Sequence, residues 1–274
     1  MKIAVLADNT VVARNAKGEH GLAFWIERGR NRVLFDTGQG LVLASNAQAL
    51  SFDLDAVDTI VLSHGHYDHT GGMAEVLPQS GRQVTIHVHP DALLPKYSKG
   101  DQGIRDIGIP PRAREAMLGG RCQFVASRQS VEIAPGIRTT GEIPRRHAEE
   151  TVTTPFYRDP LATGPDPLLD DQALFIETTE GTVVLLGCAH SGVINTLDHV
   201  RELARGRPLC AAIGGMHLRA ASDARIAWTM LELRRFGLNT LVPMHCTGEK
   251  AIAALWNAFP AACRPGGVGT VFNF

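Results

Sequence analysis

The chain has 274 residues, of which 44% are hydrophobic and 20% charged, and its formal net charge is −1 with the histidines neutral. This length accommodates one large α/β domain with a substantial buried core. The balanced charge gives no indication of a nucleic-acid partner, since such proteins usually carry a basic excess. We therefore expect a globular protein whose partner is a small-molecule substrate, and the oligomeric state stays open.

The N-terminus and the cysteines predict a cytoplasmic location. The apolar run after Lys2 is too short for the core of a signal peptide and predicts a first strand instead. No apolar window reaches the roughly 18 residues that a transmembrane helix needs, so no membrane partner is expected. Five widely spaced cysteines, an odd number, favour reduced thiols over disulfides.

Short apolar or β-branched runs predict ten strands. In chain order they cover residues 2–7, 22–28, 32–36, 59–63, 83–88, 123–126, 172–178, 182–187, 209–213 and 240–244. Apolar stripes with helical spacing predict amphipathic helices over 194–204, 223–236 and 249–259. The hairpin-rich first half and the strand–helix alternation after residue 182 favour an α/β fold with two mixed sheets covered by helices.

The region from 91 to 171 is the least regular part of the sequence. Its prolines, including Pro110 and Pro111, are typical of long surface loops. We expect a single domain over 1–274 with an irregular, lid-like insertion at about 91–171. Residues 96–146 hold ten Lys or Arg against five Asp or Glu. This excess is typical either of a lid that contacts an anionic, phosphorylated substrate or of a solvated loop, and the candidate cations are Lys96, Lys99, Arg105, Arg112 and Arg114.

The central motif follows the predicted strand 59–63 and contains His64, His66, Asp68 and His69. Side chains alternate along an extended chain, so His64 and His66 project to one side and can bind one ion together. Asp68 and His69 follow the bend and can reach a second ion. Imidazole and carboxylate ligands favour Zn²⁺, with iron or manganese as alternatives. The motif therefore predicts two divalent metal ions as cofactors.

Further metal ligands are expected in two turns at strand ends. Cys188 and His190 follow the predicted strand 182–187, and His245 follows 240–244. Functional side chains concentrate in such turns, so His190 and His245 are predicted to be ligands. Cys188 is either a thiolate that bridges the metals or a small buried residue.

The HxHxDH pattern after a strand resembles the metallo-β-lactamase superfamily, and this resemblance implies an αββα sandwich. Asp36 resembles the Asp of that superfamily's FDTG-type turn, which implies that it supports the metal site by hydrogen bonding. The order of motifs narrows the resemblance to the subgroup named for dihydropterin–(ribofuranosyl)aminobenzene phosphate synthase. These motifs are EHGL at 19–22, FDTGQG at 35–40, SHGHYDHTGG at 63–72, GEIPR at 141–145, DDQAL at 170–174, GCAHSG at 187–192, GGMHL at 214–218 and HCTG at 245–248.

The sequence departs from the wider superfamily at two ligand positions. The superfamily has a separate GHTxG-type His and then an Asp at the end of a later strand. Here the GEIPR stretch stands where that His would be expected, and Cys188 stands where that Asp would be expected. The resemblance thus implies that His190 replaces the missing His and that Cys188 stands where the bridging Asp stands, with His147 as a weaker candidate.

A two-metal site predicts a metal-dependent hydrolase of an ester, lactone, amide or phosphoester. Asp68 is the predicted catalytic residue, which holds one metal and orients the nucleophile. The subgroup resemblance implies instead a pterin-related condensation by a dihydropteroate-synthase-like transferase, in which an arylamine attacks a methylene carbon and pyrophosphate leaves. Arg145 is the strongest candidate for contact with an anionic substrate. His20 and His217 either contact the substrate or the metal-binding residues, or they are structural histidines that form hydrogen bonds.

The main competing hypothesis is a redox or sulfur-handling enzyme on the same fold that uses a single iron. A non-catalytic metal-binding module is a third option. The complete HxHxDH set favours the two-metal enzyme over both.

Overall fold

The computed structural model describes residues 1–77, 83–119, 122–150 and 155–274. The chain divides into two compact units. Unit 1 comprises Met1–Arg128, a segment that ends at Asp170, and Val268–Asn273. Unit 2 comprises a segment that starts at Gln129, then Asp171–Gly267 and the terminal residue.

Sixteen strands and seven α-helices are present among the described residues. The strands are β1 (Lys2–Ala7), β2 (Ala23–Arg28), β3 (Asn31–Phe35), β4 (Thr59–Val61), β5 (Val84–Val88), β6 (Tyr97–Gly100), β7 (Gly103–Asp106), β8 (Cys122–Ala126), β9 (Glu132–Ala134), β10 (Ile137–Thr139), β11 (Phe156–Tyr157), β12 (Leu174–Glu177), β13 (Thr182–Leu186), β14 (Leu209–Gly215), β15 (Thr240–Met244) and β16 (Val271–Asn273). The helices are α1 (Leu43–Ala49), α2 (Tyr67–Thr70), α3 (Met73–Val76), α4 (Pro111–Leu118), α5 (Val193–Leu203), α6 (Asp223–Leu233) and α7 (Glu249–Ala258).

Unit 1 is built on a mixed seven-stranded sheet in the order β16-β1-β2-β3-β4-β5-β8. The pairs from β16 to β3 are antiparallel and those from β3 to β8 are parallel. Gly29, at φ +59°, lies in the tight turn that joins β2 to β3, a conformation that glycine adopts without strain. Apolar residues of α1, α3 and α4, among them Leu43, Met73 and Met117, pack in one core with the sheet. A separate three-stranded sheet has the order β11-β6-β7.

Unit 2 is built on a mixed six-stranded sheet in the order β15-β14-β13-β12-β10-β9. Strands β13, β14 and β15 are parallel, and the others pair antiparallel. Leu197 of α5, Ile226 of α6 and Leu255 of α7 lie in the core of this unit, as their helical spacing predicts. Each unit is thus a mixed sheet covered by helices, as predicted, and all ten predicted strands are present with ends shifted by at most two residues.

The segment 91–171, predicted to be irregular, contains β6 to β11 and α4 among its described residues; residues 120–121 and 151–154 lie outside them. β8 matches the predicted strand 123–126, whereas the other strands of the segment are two to four residues long, too short to show periodicity in the sequence. These strands are held by pairing with other strands, for example β10 with β12 and β6 with β7. No described helix is both long and apolar enough to cross a bilayer.

Candidate metal-binding clusters

The histidine motif of unit 1 lies between β4 and α2 and is buried. His64 and His69 are fully inaccessible, and their ring centroids lie 4.3 Å apart. Nε2 of His64 lies 2.9 Å from Nδ1 of His66, close to the spacing of about 3.3 Å between two nitrogens bound to one tetrahedral zinc. Burial, the largest effect, lowers the pKa of His66 to about 4. The imidazole is therefore neutral at pH 7, which is the form that binds a metal.

Asp36 orients the motif from the turn after β3. Its Oδ1 accepts a hydrogen bond from the Ser63 amide at 2.7 Å, and its Oδ2 accepts from Ser63 Oγ at 2.6 Å. The same Oδ2 lies 2.7 Å from Nδ1 of His69. Because Nδ1 donates to this carboxylate, Nε2 of His69 carries the lone pair available to a metal. Asp36 itself holds φ +58°, a left-handed conformation that is rare for residues other than glycine.

The carboxylate of Asp68 lies beside two histidines. Its Oδ2 is 3.8 Å from Nε2 of His69 and 3.3 Å from Nε2 of His20. His20 is exposed, and its Nδ1 lies 3.2 Å from the side-chain nitrogen of Asn9. The donor set of unit 1 is therefore three imidazoles and a carboxylate with a further histidine at its edge, and its chemistry fits a divalent ion such as zinc.

Glu19 of the EHGL motif connects that motif to the loop that follows β3. Its carboxylate accepts hydrogen bonds from the amides of Gln39 and Leu41, at 2.9 and 2.8 Å, and burial raises its pKa. Gly38 holds φ +68°, and a Cβ atom there would lie 2.2 Å from Oε1 of Glu19. Thr37 of the same loop donates from Oγ1 to the carbonyl of His69 at 3.0 Å. Glu19 thus fixes the loop that holds the histidine motif.

Unit 2 contains a second cluster, of sulfur and nitrogen donors. Ligand atoms of Cys188, His190 and His217 lie within 4.8 Å of one another, and so do those of Cys188, His245 and Cys246. The three predicted ligands of this unit, Cys188, His190 and His245, therefore lie in one cluster. His217 joins them, with its ring centroid 4.4 Å from that of His190. Cys246 was missed by the sequence analysis, although it lies in the HCTG motif.

Backbone strain and hydrogen bonds define this second cluster. His217 and His245 hold φ +48° and +50°, conformations that cost about 1–3 kcal/mol each and concentrate at functional sites. Asp171 accepts hydrogen bonds from the amides of His190 and Ser191 at 3.0 and 2.8 Å, and burial raises its pKa. The second Asp of the DDQAL motif thus holds the turn that carries His190, a role the sequence analysis did not assign.

Cys246 and His217 each shift the pKa of the other. Burial opposes the charged form of each side chain. Hydrogen bonds with Cys188 and His217 nevertheless hold the pKa of the Cys246 thiol well below its usual value. The hydrogen bond and charge of Cys246 in turn raise the pKa of His217. A thiolate beside imidazoles is a donor combination that binds zinc tightly.

The predicted anion-binding cations have different environments. Arg145 is exposed, and its charge only partly opposes the burial that raises the pKa of Asp171. Lys96, predicted as a lid residue, is instead buried in an ion pair with Asp166 and Asp170. Arg114 donates to the carbonyls of Ile109 and Leu93, so it too has a structural contact.

Two further histidines have other contacts. His147, the weaker ligand candidate, lies 2.9 Å through Nε2 from Asp198. His199 of α5 has 15% of its side chain accessible, and its Nε2 lies 3.4 Å from the carbonyl oxygen of Thr140.

Comparison with known proteins shows similarity across the chain. The family model described as the metallo-beta-lactamase superfamily matches residues 16–245. The chain is 31% identical over 246 residues to the 7,8-dihydropterin-6-methyl-4-(beta-D-ribofuranosyl)-aminobenzene-5'-phosphate synthase of Methanocaldococcus jannaschii, covering 85% of this chain and 82% of that relative. It is 30% identical over 253 residues to an uncharacterized protein of the same organism, covering 92% and 93% of the two chains. The crystal structure of Tm1679, described as a metal-dependent hydrolase of the beta-lactamase superfamily, aligns with a TM-score of 0.86 at 30% identity and covers 100% of this chain and 99% of its own.

Proposed function

This chain belongs to the metallo-beta-lactamase superfamily, and we propose that it is a divalent-metal-dependent enzyme acting on a small phosphorylated substrate. The fold class and the family resemblance predicted from the motifs are confirmed. The reaction that we propose is a pterin-related condensation of the kind named for its relative from Methanocaldococcus jannaschii.

The observation that carries this proposal is the buried donor set of His64, His66 and His69. The ring of His64 lies close to both others, with its Nε2 2.9 Å from Nδ1 of His66 and its centroid 4.3 Å from that of His69. Asp36 presets the tautomer of His69, and the pKa of His66 keeps that ring neutral. Such preorganisation is typical of histidines that bind a metal.

We propose one metal-binding donor set in each unit. In unit 1 the ligands would be His64, His66, Asp68 and His69, and Asp36 would orient them. In unit 2 the ligands would be His190, His245 and Cys188, with His217 beside them. The proposed cofactors are two divalent ions, with zinc preferred because the donors are imidazole, thiolate and carboxylate.

The metal ions and the residues of the chain would have separate roles in the reaction. Divalent ions would supply Lewis-acid stabilisation of negative charge on a phosphorylated leaving group. Asp68, the proposed catalytic residue, would orient the attacking nucleophile through its carboxylate. Arg145, exposed on the GEIPR segment, would bind the phosphate or diphosphate of the substrate, since guanidinium groups recognise phosphate through paired hydrogen bonds.

Hydrolysis of a phosphoester is the second candidate function. The similarity to Tm1679, described as a metal-dependent hydrolase, favours it. The two reactions differ in the nucleophile, an arylamine in the condensation and water in hydrolysis. The same donor set serves both, because each expels an oxygen leaving group that becomes negatively charged.

Elemental analysis of the freshly purified protein tests the metal proposal. We expect close to two zinc ions per chain in the wild type and a clear decrease in His190→Ala. The matched control is His199→Ala, a histidine of the same unit that contacts the Thr140 carbonyl. One iron per chain would favour the redox alternative, and an unchanged metal content in His190→Ala would exclude His190 as a ligand.

An activity assay with two substrates separates the two reactions. A dihydropterin bearing a methyl diphosphate is incubated with an aminobenzene ribosyl phosphate, and in parallel a simple phosphodiester is offered alone. Carbon–nitrogen bond formation that requires metal and fails in Asp68→Asn would support the condensation. Metal-dependent release of alcohol from the phosphodiester, with no condensation, would support hydrolysis instead.

A further inference from the structure

A buried ion-pair cluster lies beside the histidine motif of unit 1. Nζ of Lys96 donates to Asp166 Oδ2 at 2.9 Å and to Asp170 Oδ1 at 2.8 Å. The three side chains are at most 1% exposed. A charged group that is buried this completely needs compensating partners, because desolvation is expensive. Lys96 therefore neutralises two carboxylates in the interior and is closed to a substrate in solvent.

Asp170 connects this ion pair to the metal-binding motif. Its second oxygen, Oδ2, accepts the backbone amide of Gly65 at 2.8 Å, and Gly65 separates His64 from His66. The carboxylate thus fixes the peptide between two proposed ligands. A bond of this kind between an amide and an ionised carboxylate is shorter and stronger than one between neutral groups.

Gly65 is also packed directly against the lysine stem. A Cβ atom at this position would lie 2.1 Å from the carbonyl oxygen of Ala92 and 2.8 Å from Cε of Lys96. Only a residue without a side chain allows this approach. Lys96 thus contacts the His64–His66 turn twice, through its methylenes and through the carboxylate of Asp170.

We propose that Lys96 is a positioning residue for the metal site: its charge holds Asp170 against the Gly65 amide and so fixes the separation of His64 and His66. This inference rests on the proposed function, because it assigns a role toward the metal that those histidines would bind. It replaces the sequence-based hypothesis that Lys96 contacts the anionic substrate.

Arg158 provides the matched control. It donates to Oδ1 of Asp166 at 3.2 Å and to Asp91 at 2.8 Å, and in the described part of the chain neither of these hydrogen bonds involves Asp170. Arg158→Met therefore removes a cation from the same cluster without touching the acceptor of Gly65. A general loss of stability would appear in this variant as well as in Lys96→Met.

The experiment measures two quantities in the full chain: the exchange rate of the Gly65 amide in metal-free protein by NMR, and the zinc dissociation constant by competition with a chelator. Lys96→Met should accelerate Gly65 exchange at least about tenfold and weaken zinc binding about 10- to 100-fold, the range for residues that orient metal ligands. Arg158→Met should leave both within about threefold.

Two further variants complete a double-mutant cycle. Asp170→Asn should also accelerate Gly65 exchange, because its single carbonyl oxygen is drawn to the Lys96 ammonium. In the double variant Lys96→Met with Asp170→Asn, no ammonium attracts the oxygen of the introduced side-chain amide. This oxygen should therefore again accept a hydrogen bond from the Gly65 amide, and zinc affinity should partly recover. This rescue would distinguish positioning from a merely structural role.

Unchanged Gly65 exchange in both single variants would overturn the inference, and so would additive losses in the double variant. If Lys96→Met does not fold, Asp170→Asn and the double variant still give the comparison. A wild-type protein that binds no zinc would refute the proposed function, whereas the exchange rates would still decide whether Lys96 holds the turn.

Discussion

Replacement of Asp36 by Asn tests how the metal site is preorganised. The two side chains have the same shape, and Asn tolerates the left-handed conformation at φ +58°. The variant therefore keeps the turn but removes the charge. An amide can accept from the Ser63 amide with its oxygen, and its NH₂ group then faces Nδ1 of His69 in place of the carboxylate oxygen. His69 must give up its proton at Nδ1 and carry it at Nε2, where the metal should bind.

The expected loss follows from this exchange of hydrogen bonds. A hydrogen bond to a charged group contributes about 1.5–3 kcal/mol, which corresponds to about a 10- to 150-fold change in affinity. Residues that orient metal ligands usually change metal affinity about 10- to 100-fold when they are removed. Both considerations predict a zinc dissociation constant that is one to two orders of magnitude higher in Asp36→Asn.

The assay is chelator competition monitored at pH 7.5, with Thr37→Val as the matched control. Thr37 donates to the carbonyl of His69 rather than to its ring, through a neutral hydrogen bond. Its loss should lower the free energy of unfolding by about 1 kcal/mol but leave zinc affinity within about threefold. Equal zinc affinities for Asp36→Asn and Thr37→Val would refute the argument that the carboxylate sets the tautomer of His69.

Three further predictions concern the substrate, the pH dependence and a helix cap. Arg145→Ala should raise KM for the phosphorylated substrate more than it lowers kcat, and unchanged steady-state kinetics would remove Arg145 from the site. Burial lowers the pKa of His87, so below pH 6.5 the unfolded chain binds more protons than the folded chain. The free energy of unfolding of the metal-free protein should therefore fall as the pH decreases from 6.5. Urea titrations at pH 5 and 7.5 should show a smaller decrease in His87→Gln than in the wild type. Ser222 caps α6 by accepting from the Arg225 amide at 3.2 Å, so Ser222→Ala should lower the free energy of unfolding by about 1 kcal/mol, and an unchanged urea midpoint would contradict the cap.

Much of the fold could be predicted because it depends on local patterns. Ten of the thirteen strands in the two large sheets are apolar runs bounded by turn residues, and α5, α6 and α7 have clear helical periodicity. The histidine motif could be located because three histidines and one aspartate within six residues are a dense signal. His190, His245 and Cys188 were predicted as ligands from their position after strands, and in unit 2 the ligand atom of Cys188 lies within 4.8 Å of those of His190 and His245.

Other features depend on contacts that no local pattern encodes. Lys96 was assigned to a solvent-exposed lid because its neighbours are basic, but its partners Asp166 and Asp170 lie about seventy residues further along the chain. Cys246 is flanked by His245, and its importance appears only when Cys188 and His217 are seen beside it. The DDQAL motif was recognised as a family marker. The separate roles of its two aspartates become clear only when the backbone amides that donate hydrogen bonds to them are known.

The left-handed backbone at His217 and His245 has a consequence for attempts to make this protein more heat-resistant. A selection for thermal stability favours glycine or asparagine at such positions, because either residue relieves strain of about 1–3 kcal/mol per site. The variants that survive heating best would then be those that have lost an imidazole of the unit 2 cluster. Stability screens of this enzyme family should therefore be paired with a metal assay, since the strained histidines would be the first residues exchanged.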